Sequence, residues 1–249
     1  MSNFKFTLNE KFKDSKDFLL NIKRYFQENK NTIHKARNEI KVVNYDNNDL
    51  VVKSFKVPNL LNRIIYTFFK SSKAKKSYEY SLKIGDFTPK PIGFIEFYYM
   101  SLLKDSYFVS EKFNYDFTIR EPLLNKDFSK RDEVFKAFSK FTYSLHENGI
   151  YHLDYSPGNI LVKEKNDTFI FKVVDINRMQ FINLDIDLRM KNFSKLWARD
   201  EDLEIMIKEY AKISNQDEKE LISKSLYFSH KHKVKINFKK KLRGQKVVD

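Results

Sequence analysis

Residues 39–56, Glu-Ile-Lys-Val-Val-Asn-Tyr-Asp-Asn-Asn-Asp-Leu-Val-Val-Lys-Ser-Phe-Lys, alternate apolar and polar positions around a polar Asn/Asp centre. Successive side chains of a strand point to opposite faces, so this period of two broken by turn formers predicts a β-hairpin. The period then changes. Ala74, Tyr78 and Leu82 recur every fourth residue across 71–83, a helical stripe with Gly85 as its stop signal. Pro89 and Pro91 bracket a loop before two apolar runs, Ile92 to Met100 and Ser106 to Phe113, separated by a turn at Lys104-Asp105. The first half thus reads strand, strand, helix, strand, strand.

From Phe128 the pattern is helical: Val134, Phe138, Phe141 and Leu145 share a face, and Asn148-Gly149 end it. Ile160 to Val162 and Phe169 to Val174, rich in β-branched and aromatic residues, flank a Lys-Asn-Asp turn and predict a second small hairpin. Leu184 to about Phe228 is mostly helical, with Leu203, Met206, Ile207 and Tyr210 on one face. The whole is an α+β chain without internal repeat or Pro/Gly/Ser-rich linker, so the boundary between its halves is short and structured.

A chain of 249 residues with 41% hydrophobic content, 24 Phe and 14 Tyr can bury a substantial core. The lack of cysteine excludes disulfides and thiolate metal sites. The first residues contain no uninterrupted apolar segment, and the longest one, near Ile92 to Leu103, is broken by Glu96, so neither a signal peptide nor a membrane span is expected. The net charge of +14 is concentrated. Lys53 to Lys83 holds seven Lys, one Arg and the single acid Glu79; His230 to Lys246 holds seven Lys, one Arg and no acid. Such clusters favour a polyanionic partner, whether nucleic acid, an anionic membrane face or a phosphorylated glycolipid. The alternative is a general Lys- and Asn-rich bias of composition.

The sharpest chemical feature is His152-Leu153-Asp154-Tyr155-Ser156-Pro157-Gly158-Asn159, after a helix and before a strand, with Val173-Val174-Asp175 closing the next strand. Phosphoryl transfer needs one carboxylate to orient the attacking hydroxyl and take its proton, and oxygen ligands that hold Mg²⁺ against the phosphates. Asp154 suits the first role, Asn159 and Asp175 the second. His152 reads as a structural anchor of the loop, and His146 as a helix-end residue favoured by the macrodipole. A catalytic loop of this type requires a strand Lys and a helix Glu to grip the nucleotide phosphates. Lys53, in Leu50-Val51-Val52-Lys53, is preferred to Lys56, and Glu79 is the sole acid of its helix; its plain reading is an i, i+4 partner of Lys75 or Lys83. Ser110 to Asn114, including Glu111 and Phe113, stands where a hinge would offer backbone amides to adenine.

These residues together resemble the lipopolysaccharide core kinases, the Kdo/heptose kinase branch of the protein-kinase-like superfamily. The likeness runs from Arg37-Asn38-Glu39-Ile40-Lys41 through Val51-Val52-Lys53-Ser54-Phe55 and Thr88-Pro89-Lys90-Pro91 to Val174-Asp175-Ile176-Asn177-Arg178-Met179. It implies a bilobal protein-kinase-like fold: residues 1–113 as an N-lobe of antiparallel sheet plus one helix that grips the nucleotide, and 114–249 as a mostly helical C-lobe with the catalytic loop and a basic tail. It further implies ATP- and Mg²⁺-dependent phosphorylation of an inner-core sugar hydroxyl, on lipopolysaccharide core or a lipid-linked acceptor, at the cytoplasmic face of the inner membrane. The basic segments fit an anionic glycolipid or an anionic membrane surface.

Three departures from the general kinase pattern matter. No G-x-G-x-x-G precedes Lys53, and Arg37-Asn38 stands in its place. Leu153 replaces the Arg of His-Arg-Asp, and no Ala-Pro-Glu follows Asp175. The expectation is a constitutive kinase acting on a non-protein acceptor. The competing readings are a small-molecule or protein kinase of the same fold and a catalytically inactive binding module. No nucleic-acid readout motif is present, and no nucleic-acid partner is expected.

Overall fold

The computed structural model describes residues 3–35, 38–57, 59–245 and 247. Arg37 of the expected loop before Lys53, and Lys246 at the end of the basic run, lie outside the described residues. The chain divides into two compact units, Met1–Asn114 and Tyr115–Asp249.

The N-terminal unit contains, in order, β1 (Phe4–Leu8), α1 (Lys16–Leu20), α2 (Ile22–Glu28), β2 (Thr32–Lys35), β3 (Glu39–Tyr45), β4 (Asn48–Phe55), α3 (Leu60–Phe68), α4 (Lys73–Ile84), β5 (Pro91–Tyr99) and β6 (Leu102–Glu111). Among the described residues its strands form one antiparallel sheet in the order β1-β5-β6-β4-β3-β2. Alternation decides which side each residue serves. Leu50 and Val52 face one side, where they join Val43, Ile92, Ile95 and Val109 under Phe18, Leu19, Ile22 and Phe26 of α1 and α2. Phe55 and Phe94 face the other, against Ala74 and Tyr78 of α4. Each of the buried Val, Leu, Ile and Phe side chains stabilises the unit by about 1.5–3 kcal/mol.

The sheet agrees with the sequence pattern, but several details correct it. β1, α1, α2, β2 and α3 add to the expected single helix and four strands. The turn between β5 and β6 lies at Met100-Ser101, both at positive φ (48° and 60°), while Lys104-Asp105 sits inside β6. Leu82 is exposed, because α4 buries Ser77 and Ser81 on its packing face. Their hydroxyls donate to the carbonyls of Lys73 and Ser77, which lets small polar residues line an apolar contact.

The C-terminal unit contains β7 (Phe117–Thr118), α5 (Arg120–Leu124), α6 (Arg131–Glu147), β8 (Ile150–His152), β9 (Ile160–Lys165), β10 (Thr168–Val173), β11 (Met179–Phe181), α7 (Ile186–Phe193), α8 (Asp200–Ser214) and α9 (Glu218–Leu242). Its strands pair as β10-β9-β7 and β11-β8. Val134, Phe135 and Phe138 of α6 are buried, as are Leu203, Met206, Ile207 and Tyr210 of α8, and Ser139 Oγ donates to the Met206 carbonyl at 2.8 Å. Gly149 ends α6 at φ +66°, a left-handed turn where a Cβ would stand 2.9 Å from the Ile182 carbonyl oxygen. That turn feeds the chain into β8 and the loop that follows. Among the described residues no helix is long and apolar enough to cross a membrane.

Candidate active site

The loop after β8 is built around one buried imidazole. The Asp154 N–H donates to His152 Nδ1 at 3.0 Å, so that nitrogen carries no proton, and Nε2–H donates to the Val174 carbonyl at 3.0 Å. Burial pushes the His152 pKa down, which keeps the ring neutral as both bonds require. His152 therefore ties the start of the loop to the residue before Asp175. The rest of the loop closes on itself: Asn159 Nδ2 donates to the Asp154 carbonyl at 2.9 Å, Ser156 N–H to the same carbonyl at 2.8 Å, and Val174 N–H to the Asn159 carbonyl at 2.9 Å. Asp154, Asn159 and Asp175 are thereby brought together in one hydrogen-bonded frame, although the first and last lie 21 positions apart.

The three side chains suit different tasks. Asp154 is half-exposed, with Arg178 Nη1 3.9 Å from its carboxylate. Asn159 commits its amide nitrogen to the Asp154 carbonyl, which leaves Oδ1 as a candidate ligand oxygen. Asp175 holds a left-handed backbone (φ 57°), a conformation that Asp tolerates better than most residues and that is common at functional sites, and accepts a bond from Asn177 Nδ2 at 2.6 Å. Among the described residues no cluster of three His, Cys, Asp or Glu could hold a metal ion. A carboxylate and an amide oxygen nevertheless fit Mg²⁺, which retains waters and takes the rest of its shell from phosphate oxygens.

The support beneath this loop was not legible in the sequence. Asn192 of α7 donates from Nδ2 to the His152 carbonyl at 3.0 Å, and its Oδ1 accepts from His146 Nε2–H at 3.1 Å. His146 Nδ1 then accepts from the Tyr210 hydroxyl at 2.9 Å, whose oxygen lies 3.4 Å from Arg189 Nη1. Arg189 is itself paired with Glu147. His146 is buried and its pKa falls to about 4, chiefly through burial, so it is a neutral relay between helices rather than a cation at the end of α6. Tyr155, fully buried, stacks on Phe138 and shares a 2.8 Å bond with Thr142.

Cations flank the loop as well. The Arg120 guanidinium lies against Gly158, 2.6 Å from where a Cβ would stand. Burial first, then the neighbouring charges of Lys191, Lys235 and Arg178, press the Lys195 pKa down, while the Asp154 carboxylate pulls it up. Arg178 belongs to the quoted Asp175–Met179 stretch; Arg120 and Lys195 lie outside the motif, and their signal is a basic composition that has no period.

In the N-terminal unit, Lys53 lies within β4 opposite Phe108, two residues before Phe55 and hence on the α4 side of the sheet. Lys56 lies beyond the end of the strand. Glu79 belongs to α4, where Lys75 Nζ approaches its carboxylate at 3.8 Å, the plain i, i+4 contact. At the end of β6 the expected adenine donors are reduced. Glu111 N–H is committed to the Lys90 carbonyl at 2.9 Å and Lys112 N–H to that of Asp49 at 3.1 Å, which leaves the amides of Phe113 and Asn114 among the described residues.

No family model matches the chain, and no curated protein matches it either. Among solved structures, WaaP in complex with acyl carrier protein is similar over 93% of this chain and 97% of that one, with a TM-score of 0.60 at 14% identity. The chain has the kinase-like fold of WaaP.

Proposed function

We propose that this protein is a kinase that transfers the terminal phosphoryl group of Mg·ATP to a sugar hydroxyl of an anionic acceptor, the Kdo or heptose of a lipopolysaccharide inner core, at the cytoplasmic face of the inner membrane. The observation that carries the reading is the frame that holds Asp154, Asn159 and Asp175 together in a kinase-like fold.

Asp154 orients the acceptor hydroxyl and takes its proton, and its backbone is fixed on both sides, so little reorganisation is needed at the moment of transfer. Asn159 Oδ1 and the Asp175 carboxylate would hold Mg²⁺, which when bound supplies neutralising charge at the phosphate oxygens. In the N-terminal unit we assign Lys53 to the nucleotide phosphates, Glu79 to the orientation of Lys53, and the Phe113 amide to the adenine edge. Glu111, its N–H already engaged, could serve adenine only through its carbonyl. Arg120, Arg178 and Lys195 around the loop favour an acceptor that carries negative charge of its own. The basic runs add attraction to an anionic membrane, about 1 kcal/mol for each cation near the surface.

The test is ADP release by the full chain with Mg²⁺, ATP and unphosphorylated lipopolysaccharide core. Asp154→Asn should lower turnover by roughly 100- to 10,000-fold with ATP affinity retained, and Asp175→Asn should weaken Mg·ATP binding itself. Nucleotide binding without acceptor-dependent turnover would sink the acceptor assignment; absence of nucleotide binding would sink the kinase reading.

A further inference from the structure

α3 is built inside out. None of its residues is buried, and its polar side chains make the attachment: Arg63 Nε donates to the Leu103 carbonyl at 2.8 Å and Thr67 Oγ1 accepts from Leu103 N–H at 3.0 Å, which pins the helix to the start of β6. Most of its apolar side chains point outward, while Ile65 and Tyr66 are half-buried. Leu60, Ile64 and Phe68, spaced on one helical face, are exposed together with Leu61 (68%) and, just past the helix end, Phe69 (79%). Met100, at the tip of the hairpin that leads to Leu103, is exposed too. An apolar patch of this extent on a folded surface marks an interaction site.

Charge selects the occupant. Lys56, Lys70, Lys73, Lys75 and Lys76 flank the helix, and no acid occurs from 57 to 78. A second copy of the chain would bring the same positive rim against this one. A bilayer with anionic headgroups matches both parts, since the cations meet the headgroups while Leu and Phe side chains enter the acyl boundary.

We propose that α3 is a membrane-docking helix, lying in the interface of an anionic bilayer with Leu61, Phe68 and Phe69 inserted. The inference rests on the reading that the protein works at an anionic membrane, and adds apolar insertion, which salt does not screen, to the attraction of the basic runs, which it does.

The full chain is tested by co-sedimentation with phosphatidylcholine vesicles, with and without phosphatidylglycerol, at low and high salt. Wild type should bind the anionic vesicles and keep part of that binding in high salt. The triple variant Leu61→Ser, Phe68→Ser, Phe69→Ser should partition at least about tenfold more weakly at either salt, with an unchanged thermal melt. Independently, Phe68→Trp should show blue-shifted emission quenched by brominated lipid, beyond the signal of wild type, whose one tryptophan is Trp197. Equal binding of wild type and triple variant would overturn the role of α3 and leave the membrane reading standing. No binding of wild type to anionic vesicles would remove both. Self-association of wild type that the triple variant abolishes, without vesicle binding, would give the face to a second copy.

Discussion

Acidification should loosen the C-terminal unit through His146, and the size of the effect follows from the environment of the ring. Burial, aided by the nearby Arg189 charge and opposed by the bond to Asn192, lowers its pKa from 6.5 to about 4. Between those values the unfolded chain holds a proton that the folded chain refuses, so stability falls as pH falls through this window and levels off below it. At about 1.4 kcal/mol per tenfold change in proton affinity, the loss is about 3 kcal/mol, a large share of the 5–15 kcal/mol that stabilises a typical domain. Urea unfolding followed through Trp197, which lies in this unit, is the assay. His146→Gln should be less stable than wild type near neutrality but should lack the acid-sensitive step. The gap between the two should therefore narrow by about 3 kcal/mol between pH 7 and pH 4, with the titration of His152 common to both and cancelling. Parallel stability curves over that range would refute the argument.

Asn192→Leu should cost about 2–5 kcal/mol, because it strands both the His146 N–H and the His152 carbonyl in a buried site; under the kinase reading it should also lower turnover more than nucleotide affinity, which steady-state kinetics separates. Arg131→Met should cost about 3–5 kcal/mol, since Asp202 is fully buried and pairs with Arg131 while its other oxygen has no partner among the described residues. The double variant Arg131→Met, Asp202→Leu should recover most of that loss in the same denaturation assay, and failure to recover would show that packing, not the stranded charge, sets the cost.

What the sequence disclosed is what local periodicity and short spacing can carry. The hairpin at 39–56, the stripe of α6, the face of α8 and the tight run from His152 to Asn159 each declare themselves within one short continuous stretch. The turn at Met100-Ser101 escaped because it lacks the Asn-Gly or Asp-Gly pair that marks a two-residue hairpin turn, although both residues adopt the left-handed φ that such a turn requires. Leu82 misled because a stripe of apolar residues marks the buried face only where burial is apolar, and α4 buries serines whose hydroxyls are satisfied by their own helix. α3 went unread between the hairpin and α4, and most of its apolar stripe faces outward. The relay Arg189–Tyr210–His146–Asn192–His152 was invisible for a third reason. Its members come from four elements, and only the packing of α6, α7 and α8 brings them into hydrogen-bond range.

The same packing bears on regulation. In a kinase switched by phosphorylation, the segment after the metal-binding Asp is ordered by a phosphate that an Arg beside the catalytic Asp can read. Here Leu153 occupies that position, and the segment is ordered by the main chain instead. Met179, Gln180 and Phe181 pair with His152, Tyr151 and Ile150, Leu153 N–H donates to the Arg178 carbonyl, and Ile182 N–H donates to that of Gly149. Every one of these bonds uses backbone groups that are present whatever the state of the side chains. With the loop fixed below by Asn192 and a neutral His146, and fixed above by this two-stranded pairing, no charge needs to be added to assemble it. Under the kinase reading, a site held in this way favours constitutive activity over a phosphorylation switch.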